Sequence, residues 1–185
     1  MVGNQIAKGK ILLAEPFMLD PNFKRTAVLL CEHDEEGSLG FVLNKPLGMT
    51  VDELIEEFPE FDSEVHLGGP VQTDTIHYMH NVGDLLEGSI KVVDGVYWGG
   101  DFDKLKFLIT QELILPHNIR FFVGYSGWSE GQLVDEMIYG SWVVADMDAN
   151  YLFKSPPENL WKQVMYNKGD TYTVIAQMPE AISWN

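Results

Sequence analysis

The sequence holds a single cysteine, Cys31, so no intrachain disulfide can form. Cys31 follows the apolar run Val28, Leu29, Leu30 and reads as a buried thiol suited to a reducing compartment. Long hydrophobic runs are missing. Ile11 to Ala14 is broken at once by Glu15 and Pro16, too short for a secretory core or a membrane span, which points to a cytoplasmic protein without membrane association. Basic residues are scarce: 12 Lys plus Arg stand against 28 Asp plus Glu, a formal charge of -16. A nucleic-acid binder needs a basic footprint to displace counterions from phosphates, so direct nucleic-acid binding is disfavoured. Neither GxxxxGK[ST] nor GxGxxG occurs, and HExxH and CxxC are equally absent, so no cofactor and no metal are expected. With no internal repeat and no dividing linker, residues 1–185 read as one domain.

What is present is a globular composition, 45% hydrophobic over 185 residues, long enough to bury roughly 70% of the unfolded surface. Lys10 to Ala14 reads as a first strand, followed by a loop anchored by Phe17 and Phe23. Thr26 to Glu32 and Ser38 to Asn44 form a hairpin about Asp34-Glu35-Glu36-Gly37. Thr50 and Glu53 form a capping box for a helix to about Phe58, stopped by Pro59. Seven acids from Asp52 to Glu64 have no base among them and read as a solvated helix face, with a docking surface for a basic partner as the alternative. Val65 to Leu67 and Ile76 to His80 are short strands around Gly68-Gly69-Pro70, and Ser89 to Val93 pairs with Val96 to Trp98. Asp101 caps a helix bearing Phe102, Leu105, Leu108 and Ile109, and Pro116 closes the connection after it. Ile119 to Tyr125 is apolar on both faces and therefore central. Ser129 with Gln132 reads as a second capping box, for a helix to Tyr139. Trp142 to Ala145 is a strand, Ser155-Pro156-Pro157-Glu158 opens a helix ending near Gly169, and Tyr172 to Ala176 is a last strand. Intermixed helices and hairpins place the chain in the α+β class with a mixed sheet.

Three groupings could carry chemistry. Gly124-Tyr125-Ser126-Gly127-Trp128 falls between an expected strand and an expected helix, where a nucleophile elbow would present Ser126, but Trp128 stands where that pattern wants glycine. The same place could be a backbone-amide anion site or a structural turn. His66, His77 and His80 are the best histidine grouping for a metal, though i and i+3 on a strand face opposite sides. Glu32 and His33, followed by three acids, could pair a carboxylate with a general base, yet neighbours on a strand also point to opposite faces.

Together these stretches resemble the AlgH/YqgE family of bacterial proteins. The resemblance runs from Gly9 to Ala14 through Arg25, Glu32-His33, Gly40 and Asn44-Lys45-Pro46 to Gly68-Gly69-Pro70-Val71, His80 and Arg120-Phe121-Phe122. It continues through Gly124-Tyr125-Ser126-Gly127-Trp128, Gly131-Gln132-Leu133 and Glu136 to Trp142 and Trp161. It implies an α+β fold with a bifurcated mixed, mostly antiparallel sheet surrounded by helices, and a transcriptional-regulator label that rests on genetics, with no established reaction. Where this chain has Lys45 and Ser126 the family often has Arg and Ala, which weakens a serine nucleophile. The expectation is a non-enzymatic binding or regulatory module acting through a protein or small-ligand partner. Its expected face comprises Arg25, Glu32, His33, Asn44, His80, Gly124, Tyr125, Gly127, Trp128, Gln132 and Glu136. The alternative is a hydrolase-like enzyme using His33 or His80 with nearby carboxylates.

Overall fold

The computed structural model describes residues 5–180. Its strands are β1 (Ile11–Ala14), β2 (Ala27–Asp34), β3 (Gly37–Val42), β4 (Pro46–Thr50), β5 (Glu64–Leu67), β6 (Val71–His80), β7 (Ile90–Val93), β8 (Val96–Trp98), β9 (Ile119–Ser129) and β10 (Trp142–Ala145). The helices are α1 (Val51–Leu54), α2 (Phe102–Thr110), α3 (Gln132–Ile138), α4 (Ala149–Phe153), α5 (Leu160–Lys168) and α6 (Asp170–Ala176). All ten strands join one sheet in the order β10-β1-β2-β3-β9-β6-β8-β7, with β5 joined to β9 off that path and β4 joined to β5. Every pairing is antiparallel except β5 with β9.

The sheet forks along β9, whose first half, Phe121 to Val123, pairs with β5, while its second half, Ser126 to Ser129, pairs with β3. On its other edge β6 runs from Val71 opposite Tyr125 to His80 opposite Ile119. Gly68 stitches the fork: its N–H donates to Val123 O at 2.8 Å and its carbonyl accepts from Val42 N–H at 2.8 Å. Such close backbone approach requires glycine. A Cβ on Gly68 would sit 2.5 Å from Gly124 O, and one on Gly124, which has φ +67°, would sit 2.5 Å from Gly69 O. Side-chain parity changes at the same point. Phe122 and Tyr125 lie three residues apart yet join the same core, which an unbroken strand with period two cannot do.

Three cores result. Alternate residues of β1 and β2, including Ile11, Leu13 and Leu29, face α4, α5 and α6. Their neighbours Leu12, Val28 and Leu30 face α3 and the loop that carries Phe23. Ile119 and Phe121 of β9 pack with Leu105, Leu108 and Ile109 of α2. Each fully buried large side chain contributes about 1.5–3 kcal/mol relative to exposure. Cys31 is fully buried, as expected. No helix among the described residues is long and apolar enough to cross a membrane.

Several expected elements are corrected. Residues 172–176 are helical within α6 because they pack on α5, overriding the strand preference of a β-branched stretch. The helix after Thr50 stops at Leu54, so the acids from Asp52 to Glu64 are spread over helix, turn and β5 instead of sharing one helix face. The α5 helix begins at Leu160, after a single 3-10 turn at Pro157–Asn159. Both β4 and α4 were unanticipated. The expected hairpins are present, and Asp101 caps α2 by accepting from Lys104 N–H at 2.8 Å.

Candidate functional site

The segment 124–128 is the second half of an eleven-residue strand, not a strand-to-helix turn. Ser126 is fully buried and its hydroxyl donates to Gly68 O at 3.0 Å, so the elbow reading fails on geometry. The α3 helix begins only at Gln132, which removes any helix N-terminus from this segment. The expected capping box is half present: Gln132 Oε1 accepts from Ser129 N–H at 3.0 Å, but the residue preceding the helix is Gly131, with φ 74°.

Pairing of β2, β3 and β9 brings part of the expected face together. Glu32, Leu39 and Gly127 stand opposite one another in one row across the three strands, and Asp34, Gly37 and Ser129 form the next row on that face. With Glu36, Val71, Tyr125 and Trp128 these residues line a groove of about 420 Å³. His33 lies in the intervening row with Ser38 and Trp128, on the opposite face, where its Nδ1 bonds Ser38 Oγ at 2.6 Å. Glu32 and His33 therefore form no acid–base pair.

The remaining expected residues sit elsewhere. Asn44 Oδ1 accepts from Ala27 N–H at 3.0 Å and its amide donates to Arg25 O at 2.9 Å, so both functions hold the β2 entry. Arg25, at φ 55°, stacks 4.3 Å from the Trp161 ring centroid and donates to Met178 O at 2.8 Å, fastening the chain after α6. Glu136 accepts from Trp142 Nε1–H at 3.4 Å on the α3 side of the sheet, and burial raises its carboxyl above the usual range. His80 is fully buried at the β6–β8 edge. Val82 N–H donates to its Nδ1 at 3.2 Å, which leaves Nε2–H to donate to Gly99 O at 2.8 Å and towards Ser89 Oγ at 3.0 Å. Burial lowers its pKa, and the neutral tautomer is fully used in holding that corner. Among the described residues no group of three His, Cys, Asp or Glu side chains could hold a metal ion.

Gly127 stands apart from the other glycines. Among those described, it alone has neither a positive φ nor a crowded Cβ position: the nearest atom to an added Cβ, in the Tyr125 ring, is 3.5 Å away. Folding does not demand glycine there, yet its bare backbone forms part of the groove wall. Sequence reasoning missed a second concavity, lined by Ser63, His66 and Arg120 among others. Its one available signal was the presence of a histidine and a serine in a short apolar strand region.

A family model described as AlgH-like matches residues 11–173. The chain is 47% identical over 177 residues to a UPF0301 protein of Chlorobaculum tepidum, covering 96% of this chain and 95% of that one. It is 41% identical over 175 residues to a UPF0301 protein of Cytophaga hutchinsonii, covering 94% and 96%. The solution structure of the AlgH protein from Pseudomonas aeruginosa is similar with a TM-score of 0.73 at 27% identity, covering 96% of this chain and 99% of that one. Protein DIP2367 from Corynebacterium diphtheriae shares the fold with a TM-score of 0.77 at 22% identity, covering 96% and 95%.

Proposed function

The chain belongs to the AlgH-like family, and from that premise we propose that it is a non-enzymatic binding module that holds an extended, basic segment of a protein partner in the groove of β2, β3 and β9. The observation that carries this reading is Gly127, whose missing side chain is not needed for backbone conformation or packing and leaves the groove open. The lining supplies the recognition chemistry. Glu32, Asp34 and Glu36 are exposed carboxylates, while Leu39, Val71 and Tyr125 offer apolar contact. Beyond Tyr125 no described strand pairs with the edge of β9 opposite β3, so the groove is open on that side. The formal charge of -16 adds long-range attraction for a basic partner. Any effect on transcription then runs through that partner and not through operator contact. The enzyme alternative draws less support, because the His80 nitrogens are occupied and His33 lies on the face away from Glu32.

The test is an NMR titration with a decapeptide of alternating Lys and Val. Saturable amide shifts at residues 37–40 and 125–129, weakening several-fold between 50 and 300 mM salt, support the reading. A folded Gly127→Val variant should lose the binding. Equal binding of an alternating Glu and Val peptide, or shifts confined to other surfaces, would refute it.

A further inference from the structure

Parallel pairing of β5 with β9 sets His66 opposite Phe122 and Val65 opposite Phe121. Because alternate strand residues share a face, Arg120 and Phe122 accompany His66 on one side of the sheet. The α4 helix and the start of α5 close over that side, with Tyr151 and Leu160 completing a cleft of about 370 Å³. This volume lies within the range of small-molecule sites.

Three polar groups on this cleft have unmet capacity. His66 and Ser63 are each only 4% exposed; among the described residues Ser63 Oγ and His66 Nδ1 have no hydrogen-bond partner of good geometry, although the Glu64 and Phe121 backbones lie close to the imidazole. Buried polar atoms left unsatisfied cost about 1–3 kcal/mol each, and both belong to residues that line this cleft. Arg120 is half-buried and its guanidinium is held in place by neutral carbonyls: Nη1 donates to Pro116 O and Ile119 O at 2.9 Å each, and Nη2 to Phe153 O at 2.8 Å. Those bonds use three of its five N–H groups. Among the described residues no carboxylate lies within ion-pair distance of it. Burial lowers the pKa of Arg120 and of His66, the expected effect of charge without compensation and of an imidazole kept neutral.

We propose that this cleft binds a small organic monoanion, its single carboxylate taken by Arg120 with Ser63 and His66, and its apolar body resting on Phe122, Tyr151 and Leu160. A fixed guanidinium flanked by hydroxyl and imidazole donors matches a carboxylate. Exposed Asp62 and Glu64 at the margin repel a second negative charge and so select against phosphate esters and dicarboxylates. The site is separate from the β2, β3 and β9 groove, and neither depends on the other.

The experiment titrates the full chain with benzoate, benzamide and inorganic phosphate, followed by amide and histidine-ring NMR shifts. The expected result is saturable benzoate binding with shifts at Ser63, His66, Arg120 and Tyr151, at least about ten-fold weaker binding of benzamide, and no saturable phosphate binding. Ser63→Ala, which leaves the fold's backbone bonds untouched, should weaken benzoate several-fold, and Arg120→Gln should abolish its binding. If Arg120→Gln does not fold, Ser63→Ala decides alone. Benzamide binding as tightly as benzoate, phosphate saturating the same resonances, no benzoate shifts in the cleft, or unchanged affinity in folded Ser63→Ala would each overturn the proposal.

Discussion

Two glycines three residues apart in β9 should respond oppositely to alanine. At Gly124 the backbone has φ +67°, and an added Cβ would lie 2.5 Å from Gly69 O and 3.0 Å from Val71 O. The left-handed conformation costs a non-glycine residue about 1–2 kcal/mol. Both opposing atoms are backbone, at the point where three strands meet, so relief requires moving the strands and adds about 1–3 kcal/mol. The sum for Gly124→Ala is about 2–5 kcal/mol. With a urea dependence of roughly 2 kcal/mol per molar, the midpoint should fall by about 1–2.5 M. At Gly127 the φ is ordinary and the nearest contact is 3.5 Å, so Gly127→Ala removes only chain entropy from the unfolded state and should be neutral or stabilising by up to about 1 kcal/mol. Urea unfolding followed by tryptophan fluorescence measures both. A Gly124→Ala midpoint within experimental error of the parent, or equal damage at the two positions, would refute the fork geometry.

Ser126→Ala should cost about 0.5–1.5 kcal/mol in the same assay, more than a turn hydroxyl would, because its bond to Gly68 O is buried, and less than an orphaned carbonyl would, because Gly68 O keeps Val42 N–H. A fluorophosphonate probe should leave Ser126 unlabelled; an adduct there would contradict its burial. His66, His77 and His80 all have pKa values lowered by burial. The unfolded chain therefore binds more protons near pH 6.5, and the stability these residues contribute above that pH should fall as pH drops below it. Glu136 is raised and acts in the opposite sense, so the cleanest comparison is urea midpoints at pH 7.5 and 5.5 in Glu136→Gln; a higher midpoint at 5.5 would contradict the assignment. In a mobility assay at physiological salt, no duplex DNA should be retarded, since -16 charges oppose phosphate; saturable sub-micromolar retardation would overturn that expectation.

Local patterning made much of this fold legible. The β2–β3 hairpin showed as apolar runs around a charged turn, and Asp34 indeed accepts from Glu36 N–H and Gly37 N–H to form it. What failed was information carried by distant partners. Gly124 and Gly127 read as turn glycines because a turn is the commonest use of glycine between apolar residues, whereas here Gly124 admits the backbone of Gly69 from 55 positions earlier. Residues 172–176 have strand-forming side chains, and packing against α5 and the core beneath it favours a helix there. The groove was partly legible because the hairpin fixes the row of Glu32 and Leu39, while the addition of Gly127 to that row depends on β3 pairing with β9. Nothing in the vicinity of Ser63 or His66 announces Arg120, since parallel pairing of strands more than 50 residues apart leaves no local trace.

Shared ownership of β9 also dictates where the polypeptide can be divided. A break in the exposed stretch 111–113, between α2 and β9, would leave one fragment holding β3, β5 and β6 with every edge that β9 normally covers laid bare. The other fragment would hold β9 and also β10, the partner of β1. Each piece carries what the other's ladder lacks at two widely spaced places, so neither has a self-sufficient sheet, while recombination closes both seams at once. Two separately expressed halves, fused to two interacting proteins, should therefore regain tryptophan burial only when brought together.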